Sequence, residues 1–228
     1  MNKDNRPLLL RLWEYQNERA PILAMFVFAS LSVGVVYKFS TMPLKTYFVA
    51  VFIVILYLTQ IRTSDEKKDF KFDNIYHKDR PVQRGLVSLG ELYRINVFVI
   101  TAQLILYASF LDLRIFMLGL ISQLYAFLTR KEFFVREWIR RHFFAYHFLH
   151  HIQIGILTLA IITIIRPLIA YWQLITFIML STISVEIGRK MLAKEDDTTE
   201  DTFSRQLGYK GSALTLSLFA IARKPSDN

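Results

Sequence analysis

The stretch Tyr47-Phe48-Val49-Ala50-Val51-Phe52-Ile53-Val54-Ile55-Leu56-Tyr57-Leu58-Thr59-Gln60-Ile61, running on into Asp65-Glu66-Lys67-Lys68-Asp69-Phe70-Lys71-Phe72-Asp73, decides how this chain is read. The apolar part is long enough to cross much of a bilayer. The polar part places Asp65, Asp69 and Asp73 at spacing i, i+4, i+8. On a helix this spacing predicts three carboxylates on one face, about 6 Å apart per step. Like charges stacked where a helix leaves lipid are unfavourable unless a cation sits among them. A hard cation such as Mg²⁺ takes oxygen ligands and is commonly held by one or two carboxylates plus the phosphates of a substrate. Lys67, Lys68 and Lys71 are interleaved, and Arg80-Pro81-Val82-Gln83-Arg84-Gly85 follows closely. Carboxylates for metal beside cations for phosphate point to a diphosphate site. The bland alternative is a solvated helix end with i,i+4 salt bridges.

Working outward, the 228 residues are 53% hydrophobic, and the apolar residues come in blocks. The blocks fall at about 21–37, 46–61, 92–111, 113–128, 143–165, 167–187 and 211–222. Most approach the roughly 17–25 residues of a spanning helix. The expected fold is all-α: a polytopic transmembrane bundle of about seven spans, residues 1–228 forming one domain. The last block is too short, covering about 18 Å against a hydrocarbon core of about 30 Å. Residues 2–20 are polar and aromatic rather than a signal peptide, so the first span is expected to be retained. Basic residues cluster in Lys3–Arg19, Arg62–Arg84, Arg130–Arg141 and Arg189–Lys210, alternating with sparse loops. By the positive-inside rule this is a cytoplasmic-membrane protein with its N-terminus and the loops after the second, fourth and sixth spans in the cytoplasm. The net charge of +9 is thus a topology signal, and nucleic acid is not an expected partner. With no cysteine, disulfide, zinc-thiolate and thiol-nucleophile chemistry are excluded.

The remaining polar stretches add candidates. Glu186, Arg189 and Lys190 share a helix face. Glu195, Asp196, Asp197 and Asp201 follow, with DxxxD spacing between the last two. Two acidic, lysine-bearing clusters on one side of a bundle would hold two metal ions around one diphosphate. The bland readings are a solvated acidic loop and positive-inside anchors. Residues 129–142 alternate Phe133, Phe134, Trp138 and Ile139 with basic residues, which predicts an interfacial amphipathic helix. His147, His150 and His151 lie inside the fifth span, either as functional groups or as hydrogen-bonded core residues. Gln103, Gln123, Tyr125 and Gln153 line a cavity or bond helix to helix.

At these motifs the chain resembles the UbiA superfamily of membrane prenyltransferases. That family carries Asn-Asp-x-x-Asp-x-x-x-Asp at the cytoplasmic end of its second helix, then Arg-Pro-x-x-x-Gly. Residues 65–73 fit with Asn→Asp and the first Asp→Glu, and Arg80-Pro81-Val82-Gln83-Arg84-Gly85 fits the rest. The family's second motif runs into Thr-Leu-x-x-x-Leu-Gly, and Thr202-Phe203-Ser204-Arg205-Gln206-Leu207-Gly208 is similar to that tail. The acidic residues upstream do not align uniquely. The resemblance covers about residues 10–222. It implies Mg²⁺, a polyprenyl diphosphate donor and an acceptor of unknown identity. Ionisation to an allylic carbocation in an apolar cavity precedes attack by the acceptor. Asp65, Glu66, Asp69 and Asp73 are the implied catalytic carboxylates. With Glu186, Glu195, Asp196, Asp197 and Asp201 they are the candidate metal ligands. Lys68, Arg80, Arg84, Arg189 and Lys190 are the candidate diphosphate ligands.

The family has nine helices, and the last two have no counterpart here. Two expectations follow: a naturally shorter member, or a bundle completed by a second copy or a partner membrane protein. Either leaves a lateral opening next to the first and sixth spans. The function expected is Mg²⁺-dependent prenyl transfer within the membrane. The alternatives are a terpene cyclase of the same fold and a non-catalytic isoprenoid-diphosphate-binding or accessory protein. A transporter is disfavoured because the strong charges sit at one interface. The Asp-Gly-x-x-Ala-Arg signature of CDP-alcohol phosphotransferases is missing.

Overall fold

Each apolar block becomes a helix because a backbone in lipid has to satisfy its hydrogen bonds within its own segment. The computed structural model describes residues 4–166, 168, 171–189 and 202–222. The helices are α1 Leu8–Arg19, α2 Ile22–Tyr37, α3 Leu44–Lys68, α4 Phe70–Tyr76, α5 Leu89–Ser109, α6 Leu113–Arg130, α7 Arg136–Arg141, α8 Phe143–Ile165, α9 Tyr171–Arg189 and α10 Phe203–Ala222. The described residues contain no strand. Local chemistry sets several boundaries. Pro7, Pro21 and Pro43 immediately precede α1, α2 and α3, where the missing N–H costs nothing. Ser88 and Glu91 form a reciprocal capping box at the start of α5. Asp112 accepts from the Arg114 N–H at 2.9 Å and caps α6.

The span count differs from the expected seven. Among the described residues five helices are long and apolar enough to cross a membrane: α3, α5, α6, α8 and α9. The bent pair α1 and α2, which meet at 56°, makes up to six. Helix α10 is not among them, and its backbone kinks at Gly208, where φ is 70°. The expected amphipathic helix over 129–142 is also corrected. Helix α6 stops at Arg130, Glu132–Phe134 form a 3-10 turn with positive φ, and α7 has six residues. The buried Glu132 carboxylate draws the chain round by bonding Arg136 and Arg140, both at 2.8 Å.

The core lies where α2, α3, α5, α6 and α8 meet, around Val33, Ile53, Tyr57, Tyr107 and Ile161. Helices α5 and α6 approach closely because Gly119 has no Cβ; one placed there would stand 2.4 Å from the Tyr107 ring. Gln103, Gln123, Tyr125 and Gln153 all bond helix to helix. Gln60, Gln123 and Gln103 form a closed ring of amides. Gln60 donates to Gln123 at 2.8 Å, Gln123 to Gln103 at 3.2 Å, and Gln103 to Gln60 at 2.8 Å. Tyr125 donates to the Leu149 carbonyl, and Thr129 to Gln153.

Far from the motif end, Leu168 N–H donates to the Phe39 carbonyl and Arg166 pairs with Asp112. The end of α3, the Arg-Pro loop and the end of α9 therefore share the opposite end of the bundle. Helix α1 lies at that end. Leu12 and Tyr15 pack with Val82, Leu86 and Leu92, and Arg11 pairs with Glu91 at 2.8 Å.

Candidate diphosphate site

Helix α3 has 25 residues, or about 37 Å at 1.5 Å per residue, so its last turn stands clear of a hydrocarbon core of about 30 Å. That turn carries Asp65 and Lys68. The helix breaks at Asp69, at φ −96° and ψ 0°, before α4 resumes. The i,i+4 hydrogen bonds nevertheless continue through the break: Asp69 N–H to Asp65 at 2.8 Å, and Asp73 N–H to Asp69 at 2.9 Å.

The acidic residues fall into two groups. Asp65 and Asp69 keep about a third and two fifths of their side chains exposed, at 32% and 41%. Asp65 pairs with Lys68 at 3.1 Å, and among the described residues Asp69 has only Arg140, at 3.9 Å. Partial burial raises the Asp69 pKa above the ordinary 3.8; Lys68 opposes the rise, and the charges of Asp65 and Asp73 add to it. Glu66 and Asp73 are closed off. Glu66 lies about 100° round the helix from Asp65. It is fully buried between Arg19 at 2.8 Å and Arg62 at 3.6 Å. Asp73 is 1% exposed and accepts from Arg80 at 2.5 Å. Each keeps one buried oxygen without a hydrogen-bond partner among the described residues, Glu66 Oε2 and Asp73 Oδ2. Arg84 bonds Glu14 at 2.9 Å and Glu18 at 2.5 Å, and so ties α1 to the Arg-Pro loop.

Among the described residues no three Asp, Glu or His side chains are drawn together as a ready metal cage. The donor set fits a magnesium ion completed by substrate phosphate: two adjacent carboxylates, one with raised proton affinity, and a third with an orphan oxygen. Asp65 and Asp69, one turn apart and partly exposed, would hold it, with Asp73 closed off behind them by Arg80. Of the second cluster, Glu186 is half-buried near the end of α9. Lys190, Glu195, Asp196, Asp197 and Asp201 lie outside the described residues, as does the Arg189 side chain.

The start of α8 joins the two motif regions. Lys68 Nζ donates to the Tyr146 hydroxyl at 3.1 Å, and Tyr146 stands 5.4 Å from His147, centroid to centroid. His147 and Phe143 each lie 4.9 Å from Phe203, directly after the second acidic stretch. Sequence reasoning missed Tyr146, and nothing in its local spacing marks it. It also missed the α1 strap, for which Leu8, Arg11, Leu12 and Tyr15 at helical spacing and the Ser88–Glu91 capping box were the available signals.

A small, open apolar cleft of about 40 Å³ lies between α2, α3, α8 and α9. Val33, Val54, Leu58, Ile154, Leu157 and Ile178 line it. Helices α2 and α9, the first and sixth apolar blocks, both border it. Leu58 and Asp65 are seven residues apart, so the cleft stripe of α3 continues to the exposed carboxylates.

The sequence matches no family model and no curated protein. Its fold is similar to that of a solved structure from work on digeranylgeranylglyceryl phosphate synthase in membranes. The TM-score is 0.65 at 17% identity, over 93% of this chain and 75% of that one. The all-α membrane bundle is thus a fold shared with that structure.

Proposed function

We propose that this protein, acting as one domain of the cytoplasmic membrane with its motif end and N-terminus in the cytoplasm, transfers a prenyl group from a polyprenyl diphosphate to a membrane-borne acceptor with the help of Mg²⁺. One observation carries the reading: Asp65, Lys68 and Asp69 end the same stripe of α3 whose Val54 and Leu58 line the apolar cleft. A polyprenyl diphosphate has this polarity, a multiply charged head on an apolar tail. The apolar cleft walls meet the part of the tail next to the head, and the bilayer takes the rest. Lys68 stands ready for the diphosphate oxygens as an ammonium on Asp65 and Tyr146. Bound Mg²⁺ supplies positive charge for the leaving diphosphate. Asp65 and Asp69 orient the head at the cleft mouth, and Asp73 is fixed behind them by Arg80.

A second reading has one observation in its favour. Arg80 and Arg84, expected on the diphosphate, are bonded to Asp73 and to Glu14 and Glu18. A protein that binds isoprenoid diphosphates without turning them over fits that arrangement. The test is diphosphate release by purified protein from geranyl, farnesyl and geranylgeranyl diphosphate, with and without Mg²⁺. Mg²⁺-dependent release that requires added lipid supports transfer; release without an acceptor points to cyclisation or hydrolysis. Tight binding without release supports the accessory reading, and no binding removes both.

A further inference from the structure

Helix α1 has two faces, and one of them meets nothing else among the described residues. Arg11, Leu12, Tyr15 and Arg19 turn inward. Leu12 and Tyr15 pack in the cluster of Val82, Leu86 and Leu92, Arg11 pairs with Glu91, and Arg19 pairs with Glu66. Leu9, Leu10 and Trp13 fall within about 100° of one another on the opposite side of the helix. They are 81%, 57% and 63% exposed. Large apolar side chains grouped on one face mark an interaction surface.

The level of α1 in the bundle says what lies against that surface. Its C-terminal end runs through Ala20 and Pro21 straight into α2, at a bend of 56°. Its inner face packs in the same cluster as Leu89, Leu92 and Ile95, from the first two turns of α5. Arg19 reaches Glu66 in the last turn of α3. Helix α1 therefore lies level with the ends of α2, α3 and α5, where hydrocarbon gives way to water. Ile22 and Leu23 at the start of α2 and Tyr93 near the start of α5 are exposed as well, so α1 continues an apolar belt that these helices begin. Tryptophan is among the residue types most enriched at this level of a bilayer.

We propose that α1 is a helix of the membrane surface, seated by Leu9, Leu10 and Trp13 in the boundary between lipid headgroups and acyl chains, and that this seat holds the Arg-Pro loop in place. The inference rests on the membrane-bundle fold and holds whatever the protein does with a diphosphate. Its second half follows from what α1 carries on its other flanks. Glu14 and Glu18 hold Arg84, and Arg11 donates to the Leu86 carbonyl at 2.9 Å. The Arg84 pairs are partly exposed, and such pairs contribute little alone. Apolar side chains entering lipid supply what those pairs lack. Lipid fixes α1 from outside, and α1 fixes the loop from its inner side.

The chain has three tryptophans, so Trp138→Phe with Trp172→Phe leaves Trp13 as the sole reporter and α1 unaltered. The full-length protein is returned to phosphatidylcholine vesicles. Trp13 emission is then quenched in turn by bromines near the glycerol end of the acyl chains, by bromines at mid-chain and by iodide in water. The first should quench most strongly, because a seated helix buries its apolar face by only about 5–10 Å. Strongest quenching by iodide puts the stripe in water and overturns the seat. Strongest quenching at mid-chain makes α1 part of a span, and quenching by none of the three means that protein covers the stripe; either overturns it too. Hydrogen exchange tests the hold on the loop. The Arg84, Gly85 and Leu86 amides donate to the carbonyls of Arg80, Val82 and Pro81. In Leu9→Gln with Trp13→Gln, which keeps good helix formers, these amides should exchange about tenfold faster in vesicles while those of α8 keep their wild-type rates. Unchanged loop exchange overturns the hold on the loop, and a rise that α8 shares makes the stripe part of the core and overturns the seat.

Discussion

The amide ring and the carboxylate mouth lie on the same helix, and they treat buried polarity in opposite ways. In the ring, Gln60, Gln103 and Gln123 each donate once and accept once. Gln103 donates a second time, to the Val99 carbonyl at 3.4 Å, and the loop holds α3, α5 and α6 together. In lipid such bonds are mutual satisfaction between helices, worth about 0.6 kcal/mol on average. At the mouth, Glu66 Oε2, Asp73 Oδ2 and His150 Nε2 are buried without hydrogen-bond partners among the described residues, and Asp69 is held in a raised-pKa state. Glu66 belongs with the ring, because Arg19 and Arg62 close it off, whereas Asp65 and Asp69 are exposed and more loosely paired, and are the groups another molecule can reach.

The largest effect is expected from the open end. Asp69→Ala should cut Mg²⁺-dependent diphosphate release by about two orders of magnitude, the rate equivalent of about 3 kcal/mol at the leaving group. Steady-state release at saturating Mg²⁺ measures this. Turnover like the wild type's would make residues 65–73 a solvated helix end and erase the contrast with the ring.

Glu66 separates cement from site within the motif itself. Its pairing with Arg19 and Arg62 predicts that Arg19→Met destabilises the fold by up to about 3 kcal/mol, because it strips the nearer partner from a buried carboxylate. Mg²⁺ affinity should stay close to wild type. Chemical unfolding in detergent and a Mg²⁺ titration decide the matter. Unchanged stability with lost Mg²⁺ affinity would move Glu66 among the metal ligands, as its position in the motif suggests.

The ring itself should answer more weakly. Gln103→Leu leaves Gln60 and Gln123 each short of one bond, and should cost about 1 kcal/mol. Donor affinity should be unaltered, and a drop in donor binding would show that the ring belongs to the site.

The smallest effect is one of pH. Asp69 has a raised pKa, so in the absence of cation its contribution to folded stability is fully present below pH 3.8 and is lost as pH rises through the raised value. A cation favours the ionised form and reverses that loss. The stabilisation that Mg²⁺ confers should therefore fall away as pH drops, beginning above 3.8. Melting midpoints with and without Mg²⁺ between about pH 4 and 7 would show it, at about 2–4 °C per kcal/mol of linked binding. A flat difference would mean that Asp69 takes no part in holding the ion.

Much of this contrast could not be read along the chain. The apolar blocks anticipated α2, α5, α6, α8 and α9 to within about four residues, while α3 runs seven residues past the end of its block. Residues 129–142 failed because a helical pattern of aromatic and basic residues does not reveal that Glu132 folds back onto Arg136 and Arg140. The motif failed in a similar way. Asp65, Glu66, Asp69 and Asp73 are one string of carboxylates in sequence, yet two of them are closed off by arginines from α1 and the Arg-Pro loop.

The amino-acid sequence by itself determined a bundle of membrane helices and the end of it that carries the charged motifs. It could do so because lipid forbids unsatisfied backbone, which makes apolar length alone a readable signal. Tertiary structure alone decided which polar groups are spent and which are left open. The partners that matter come from far along the chain: Glu66 meets Arg19 across 47 positions, Gln60 meets Gln123 across 63, and Lys68 meets Tyr146 across 78. Such meetings depend on how each helix is rotated about its axis and which neighbour it packs against, and no local pattern of residue types encodes either.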